Sequence, residues 1–376
     1  MTGTLDFQIR RDDFRTTRWT TATKPPLAVG EVRLSVDRFA FSANNITYAV
    51  TGNALGYWSF FPAPDGWGRL PAFGFADVAE SRAEGVVVGE RFFGYLPMSS
   101  DIVVRPSQVG PAGFVEASPH RANLPVFYNE YVRADAKAGF AREREGIHAL
   151  LWPLFLTGFL IDDFLAEHGF FGARTVMIAS ASSKTALALA FALARRKGEV
   201  QVIGLTSPAN HAFVRRREIH DDVVLYDEIA RMPVEPSVLV DMSGSWPVRQ
   251  AVHERFKDNL KYDCAAGRTH WEAGGRPGDL PGPAPKLFFA PDAGQRRILE
   301  WGPGELEARS EAAWRAFLGD AARWLELHEG SGTEAVEAAY RTVLEGRSTP
   351  EQGHVLSLTC GSAEPGIGLH GSRCSA

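Results

Sequence analysis

The chain has 376 residues, 45% of them hydrophobic and 23% charged, with a net charge of −5. That length predicts about two domains with full cores. The mild acidity gives no global attraction to nucleic acid or acidic membranes, and three dispersed cysteines, Cys264, Cys360 and Cys374, argue against a disulfide framework or a structural zinc cluster.

Residues 1–6 lack the basic and apolar segments of a secretory signal, so a reducing cytoplasm is the expected location. Residues 31–41 (EVRLSVDRFAF) alternate apolar and polar with the period of a half-buried strand. Residues 73–81 read as a second strand, 85–96 as a turn and a third, and 102–106 as a fourth that Pro106 stops. Short strands with Gly and Pro turns, to about residue 145, predict a small barrel.

From about residue 146 helices and strands alternate, which predicts a parallel sheet covered on both faces. The stretch 151–165 (LWPLFLTGFLIDDFL) reads as a buried amphipathic helix. Pro153, Asp162 and Asp163 interrupt it short of the about 20 apolar residues that span a bilayer. A strand over 176–178, a helix over 185–196 and a strand over 200–205 form a βαβ unit. Strands follow at 223–226, 237–242 and 287–290, with a Gly- and Pro-rich loop at 274–285. Helices over 305–328 and 333–345 precede a closing strand at 353–358 and a polar tail.

The turn inside the βαβ unit is the first candidate site. Helix-start amides and the helix dipole favour a phosphate there. Ser180, Ser182, Ser183 and Thr185 bring hydroxyls and Lys184 an exposed ammonium, where a dinucleotide turn has glycines. The competing reading is an N-cap, which also prefers Ser and Thr. Ser183-Lys184-Thr185 echoes the end of a nucleoside-triphosphate loop, but the glycines that loop needs are missing. At the end of the next strand, Thr206-Ser207 stands where an NAD site has an acid for the ribose. Ser207 with Arg216 and Arg217 suits the 2′-phosphate of NADP; alternatively the arginines are a solvated helix face. The aromatic run Tyr57, Trp58, Phe60, Phe61 and Trp67 either lines an apolar pocket or packs a loop onto the barrel.

Four passages, GEVRLSVDRFAFSANNITYAVTG, GVVVGERFFGYLPMSSDIVVRP, VMIASASSKTALALAFALARRKGEVQVIGLTS and AVEAAYRTVLEGRSTPEQGHVLSL, come in the order of the medium-chain dehydrogenase/reductase superfamily. The chain resembles its divergent zinc-independent, quinone-reductase-like branch. The resemblance implies an α/β protein. A GroES-like β-barrel substrate domain would cover residues 1–145, completed by about 291–360. A Rossmann-like doubly wound domain would cover 146–290, with a flexible tail over 361–376.

It also implies roles. Asn44, Asn45, Thr47 and Tyr48 would form a turn facing nicotinamide and substrate, with Tyr48 and the asparagines as catalytic candidates; ordinary turn chemistry is the alternative. Ser243 and Gly244, in a D-x-x-G-like run from Asp241, would lie beside the cofactor ribose, or form a plain strand-to-helix turn. His270 would sit near the nicotinamide as an acid or base, with a structural role as the alternative. No cysteine precedes Cys264, so no catalytic zinc is expected. The implied function is an NADP(H)-dependent oxidoreductase acting on a small apolar carbonyl, enone or quinone. It has no nucleic-acid or membrane partner, and a homodimer is allowed. The missing glycines keep two alternatives open: a non-redox enzyme, such as a lyase or thioester-handling enzyme, and an inactive binding protein.

Overall fold

The computed structural model describes residues 3–135, 140–196, 198–267, 280–302 and 304–358. Strands β1 (Gly3–Arg10), β2 (Thr17–Thr23) and β3 (Val32–Phe41) lead to helix α1 (Ala43–Val50). Then come β4 (Trp67–Gly68), β5 (Pro71–Ser81), β6 (Arg91–Pro97), β7 (Asp101–Val104), β8 (Pro106–Gly110), β9 (Gly113–Glu116) and β10 (Glu130–Arg133). The expected alternation in β3 holds: Val32, Leu34 and Val36 are buried, and the strand pairs antiparallel with β5 and β7. The β1–β2 hairpin was not expected. Its signal is short, with Leu5, Phe7 and Ile9 alternating before the charged turn, and Phe7 and Ile9 are fully buried.

The middle of the chain runs through α2 (Glu145–Glu167), β11 (Thr175–Ala179), α3 (Lys184–Ala194), β12 (Gln201–Thr206) and α4 (Pro208–Arg215). It continues with β13 (Asp222–Leu225), β14 (Ser237–Asp241), α5 (Trp246–Phe256), β15 (Leu260–Ala265) and β16 (Lys286–Leu287). The strands stand in the order β13-β12-β11-β14-β15-β16, every neighbouring pair parallel. β11 and β12 are adjacent as expected, with Val176 opposite Val202. All five residues of β11 are buried, as a strand covered on both faces requires.

α6 (Ala290–Trp301), α7 (Glu305–Ala321), β17 (Glu326–Ser331), α8 (Gly332–Leu344) and β18 (Gln352–Ser357) complete the fold. Two expectations fail here. The strand expected over 287–290 is only Lys286–Leu287, because Pro291 suits the first turn of α6. The helix expected over 305–328 stops at Ala321, and 326–331 is instead β17, paired in parallel with β18. The backbone partners that β18 supplies outweigh the helix propensity of Glu and Leu. β18 itself pairs antiparallel with β3, Val355 opposite Ala40, so the end of the chain is built into the first sheet. Residues 274–279 of the expected loop and the tail over 361–376 lie outside the described residues.

α2 runs unbroken for 23 residues, through Pro153 and the two aspartates that were expected to interrupt it. The acids are paired across to other elements: Asp162 with Arg196 at 2.7 Å and Asp163 with Arg297 at 2.5 Å. The helix is apolar and long enough to cross a membrane by length and composition, yet 56% of its apolar window is buried inside the protein. Leu151 and Phe155 enter the core beneath α7, and Ile161 and Leu165 the core of the parallel sheet. At Gly158 a Cβ would lie 2.7 Å from the backbone nitrogen of Leu189. Glycine there permits the close crossing of α2 and α3.

Arg91 on β6 ties these layers together. It donates to both oxygens of Glu145 at 2.7 Å, both of Asp77 at 2.8 Å, and Asp37 at 2.5 Å. Glu145 and the guanidinium are buried. Arg91→Ala would leave the buried Glu145 carboxylate at the start of α2 with only Arg38, 3.8 Å away, and is expected to lower stability by about 3 kcal/mol. Burial works against the Asp37 carboxylate, but the Arg91 bond and then Arg38 hold its pKa below the usual 3.8. That stabilisation is present above about pH 3.8 and lost as pH falls through the depressed value. Denaturant melts of both proteins should therefore converge in acid; a constant difference from pH 7 to pH 3 would contradict this account.

Candidate functional site

The strand order reverses direction between β11 and β14, and their carboxyl ends open a crevice at that switch point, where open α/β sheets bind ligands. The turn after β11 enters it. Ser180 has φ +57°, the left-handed conformation that a glycine adopts freely, so the backbone keeps a glycine's shape while carrying a side chain. Its N–H donates to the Tyr226 hydroxyl at 3.1 Å. Ser183 caps α3, its Oγ accepting from Ala186 N at 3.4 Å. Asn210 Nδ2 donates to Ser182 Oγ at 3.0 Å. Ser180, Ser182, Ser183, Thr185 and Asn210 line a cavity of about 230 Å³ that Ser348, Thr349 and His354 also line.

Lys184 corrects an expectation. It is not an exposed ammonium: Nζ donates to the carbonyls of Gln352 at 2.6 Å and Pro350 at 3.1 Å. Burial pushes its pKa down to about 8, against the pull of Glu351. The charge expected for a phosphate thus clamps the approach to β18. The arginine run is corrected as well. Ser207 occupies the position just before α4, whereas Arg216 and Arg217 follow its last residue, Arg215, about 12 Å along the helix axis. Arg216 faces Glu351 at 3.8 Å, and Arg217 lies over the Phe213 ring. What remains at the end of β12 is a buried Thr206 hydroxyl with no partner, beside Ser207, whose side chain makes no cap bond.

Residues 43–50 form the helix α1, not the expected turn, and its period sorts the candidates. Asn44, Thr47, Tyr48 and Thr51 fall on one face and line a second cavity of about 650 Å³, together with Gly244, Arg249 and Gly267. Asn45 points away. Its Oδ1 accepts from Ser42 N at 2.8 Å and its Nδ2 donates to Pro71 O at 2.9 Å, so its amide holds the start of the helix and has no free end for catalysis. Ser243 is likewise structural: it is fully buried, and its N–H and Oγ both donate to Asp241 Oδ1, at 2.8 Å and 2.5 Å. The other Asp241 oxygen meets Arg249 at 2.8 Å, which also pairs with Asp263. His270 lies outside the described residues.

Tyr48 stands at the junction with a third cavity of about 320 Å³. Its ring packs on Tyr57, centroids 4.5 Å apart, and edge-on to Tyr95 at 5.6 Å. The Tyr57 and Tyr128 hydroxyls are 3.1 Å apart. Burial, then the neighbouring Tyr128, raise the Tyr48 pKa well above 10, so its hydroxyl stays protonated and can only donate a proton or hydrogen bond near neutrality. Of the expected aromatic run, Tyr57, Trp58, Phe60 and Phe61 are buried and Trp67 is half-buried in β4. Tyr57 of that run lines the middle cavity, whereas the chamber walls come from Phe73, Phe93, Trp152 and Trp314.

Sequence reasoning missed His148, whose ring packs against Phe93 at 4.7 Å and stacks on Trp152 at 5.6 Å. Burial lowers its pKa to about 3, so it is a neutral imidazole. A lone His in an apolar helix was the available signal. Tyr226 and Thr157, which borders all three cavities, gave none. Among the described residues no group of three or more His, Cys, Asp or Glu forms a metal site.

A family model described as "Protein of unknown function (DUF2855)" matches residues 39–349. The chain belongs to that family. No curated protein matches it in sequence. Among solved structures, CurA from Vibrio vulnificus in complex with NADPH superposes with a TM-score of 0.58 at 14% identity, over 92% of this chain and 95% of that one. A provisionally assigned NADPH:quinone reductase from Mesorhizobium loti gives 0.58 at 11%, over 95% and 99%. A thermostable alcohol dehydrogenase from Pyrobaculum aerophilum gives 0.54 at 13%, over 94% and 99%. These likenesses show the two-domain fold of the medium-chain dehydrogenases/reductases for this member of the DUF2855 family.

The Lys184 clamp predicts a pH dependence. Its folded pKa lies below the unfolded 10.5, so the unfolded chain binds the extra proton between about pH 8 and 10.5, and stability gains from rising pH over that window. Lys184→Met should lose this slope and melt lower at pH 7, leaving two carbonyls without their donor. Parallel stability curves for the two proteins from pH 7 to 10 would show the clamp to be absent in solution.

Proposed function

We propose that the cleft binds NADP(H) and that the protein reduces a small apolar carbonyl, enone or quinone without a metal. The observation that supports this most is continuity. The serine-lined cavity and the middle cavity share Asn44, Thr47 and Gly267, and the middle cavity and aromatic chamber share Tyr48 and Tyr128. A polar groove from the start of α3 thus runs into an apolar chamber, as a long polar cofactor and an apolar substrate would need. The solved CurA complex, of the same fold, holds NADPH.

When bound, the cofactor would supply a hydride. Thr206 and Ser207 would take the adenosine ribose and its 2′-phosphate, and the absence of an acid there supports NADP over NAD. Ser182, Ser183 and Thr185 would serve the pyrophosphate, with Gly244 and Gly267 in the walls beyond. Tyr48 would donate to the oxygen that gains charge, and Asn44, one helical turn away on the same face, would orient that donor. The aromatic walls would keep water from the reacting carbon. One hydride to carbon and one proton to oxygen or to the adjacent carbon complete a two-electron reduction.

A second reading has its own support. Ser180 N–H, Ser182 Oγ and Lys184 Nζ all have protein partners, so the turn is satisfied without a nucleotide. That favours a non-redox enzyme or a binding protein on the same scaffold. Titration with NADPH and NADH, read by energy transfer from tryptophan to nicotinamide, separates the readings. NADPH should bind at least about tenfold more tightly; equal affinities would remove the NADP assignment, and no binding of either would leave the second reading. With a reducible enone, Tyr48→Phe should lower kcat by about 10²-fold with NADPH affinity kept.

A further inference from the structure

The described lining of the aromatic chamber contains no lysine or arginine; its charged groups are Glu130, Glu307 and Glu311. Glu311 is paired with Arg315 at 3.3 Å. The carboxylates of Glu130, at the start of β10, and Glu307, in the first turn of α7, have no cationic or hydrogen-bond partner among the described residues. Burial and then the Glu307 charge raise the Glu130 pKa. His148 is neutral and adds no positive charge. Around them stand rings from four elements: Phe73 on β5, Phe93 on β6, Trp152 on α2 and Trp314 on α7. Trp152 and Trp314 meet edge to face at 5.3 Å. The faces of such rings carry negative potential and attract organic cations. A half-buried carboxylate, Glu130, beside a second, exposed one, Glu307, with no counter-charge does the same.

We propose that this chamber binds an organic ammonium group, protonated or quaternary, as the recognition handle of the substrate. The proposal rests on the hydride-transfer reading of the cleft, because Tyr48 closes the chamber on the side of the cofactor groove. A neutral ligand would leave half-buried Glu130 without a counter-charge, and an anionic one would be repelled by both carboxylates. The ammonium cannot be the reacting centre. Hydride addition to an iminium would discharge it, and a cage that holds cations would bind that ground state more tightly than the transition state. The reducible C=O or C=C therefore belongs at Tyr48, and the ammonium between the rings and the carboxylates, its charge unchanged through the reaction.

Phenyltrimethylammonium and its neutral isostere tert-butylbenzene test this on the full chain, with calorimetry and tryptophan fluorescence as readouts and saturating NADPH present or absent. The cation should bind at least about tenfold more tightly than the isostere. Glu130→Gln with Glu307→Gln should remove that preference while leaving NADPH affinity unchanged; Glu307→Gln alone, at an exposed position, should reduce it in a protein of unaltered melting temperature. Equal binding of the two probes, or a preference that survives the double substitution, would overturn the proposal. The NADPH titration on the same samples reports on the hydride-transfer reading separately: cofactor binding without cation preference sinks only the handle, and cation preference without cofactor binding sinks only the redox chemistry.

Discussion

The Lys184 ammonium gives two protons to the carbonyls of Gln352 and Pro350, and the position of the cleft depends on that grip. Lys184 opens the helix after the first strand of the parallel sheet. Gln352 opens β18, which is hydrogen-bonded into the antiparallel sheet beside β3. One side chain thus fixes the distance between the two sheets at the point where the crevice begins. Burial disfavours the ammonium there, lowering its pKa, so the grip comes from the two directed hydrogen bonds and not from the charge. The Glu145–Arg91 pair does the corresponding work at the start of α2.

Between these two fixed points the cleft grades from hydroxyls to rings. At the α3 end its walls are serine, threonine and backbone, suited to a hydrated, charged ligand. At the α7 end they are indole and phenyl, where each electrostatic interaction is strengthened by the lower dielectric. Tyr48 stands where the two regimes meet. Burial keeps its phenol protonated, which makes it a donor and not a base. The neutral imidazole of His148 has the same origin: an apolar surrounding disfavours the charged form of any group.

The turn after β11 shows how a phosphate-binding turn can lose its glycines and keep its shape. Ser180 stays in the left-handed region, and the amide that shape exposes is taken by a tyrosine hydroxyl from the loop after β13. Either a nucleotide displaces that hydroxyl or the turn has become purely structural. Both outcomes use the same backbone, because function resides in the groups a fold carries and not in the fold itself.

Sequence alone determined the main elements of each half: the period-two alternation of residues 31–41, the βαβ unit from Val176 to Leu205, and the return of a last strand. Those signals are local, set by which residues face a core at spacings of 2 or 3.6. It also marked Asn44, Tyr48 and the serine turn, because residue type and place in the unit narrow the chemistry. Only the tertiary structure decided what each group meets. Helical phase turned Asn45 inward to cap α1 and left Asn44 on the cleft. An unforeseen partner, β18, made a strand of 326–331 and drew Lys184 away from the turn. The aromatic chamber is assembled from β5, β6, α2 and α7, far apart in the chain, so neither its rings nor its unpaired glutamates could be grouped before the fold brought them together. Burial, charge pairing and pKa are properties of such non-local neighbours, and no local pattern encodes them.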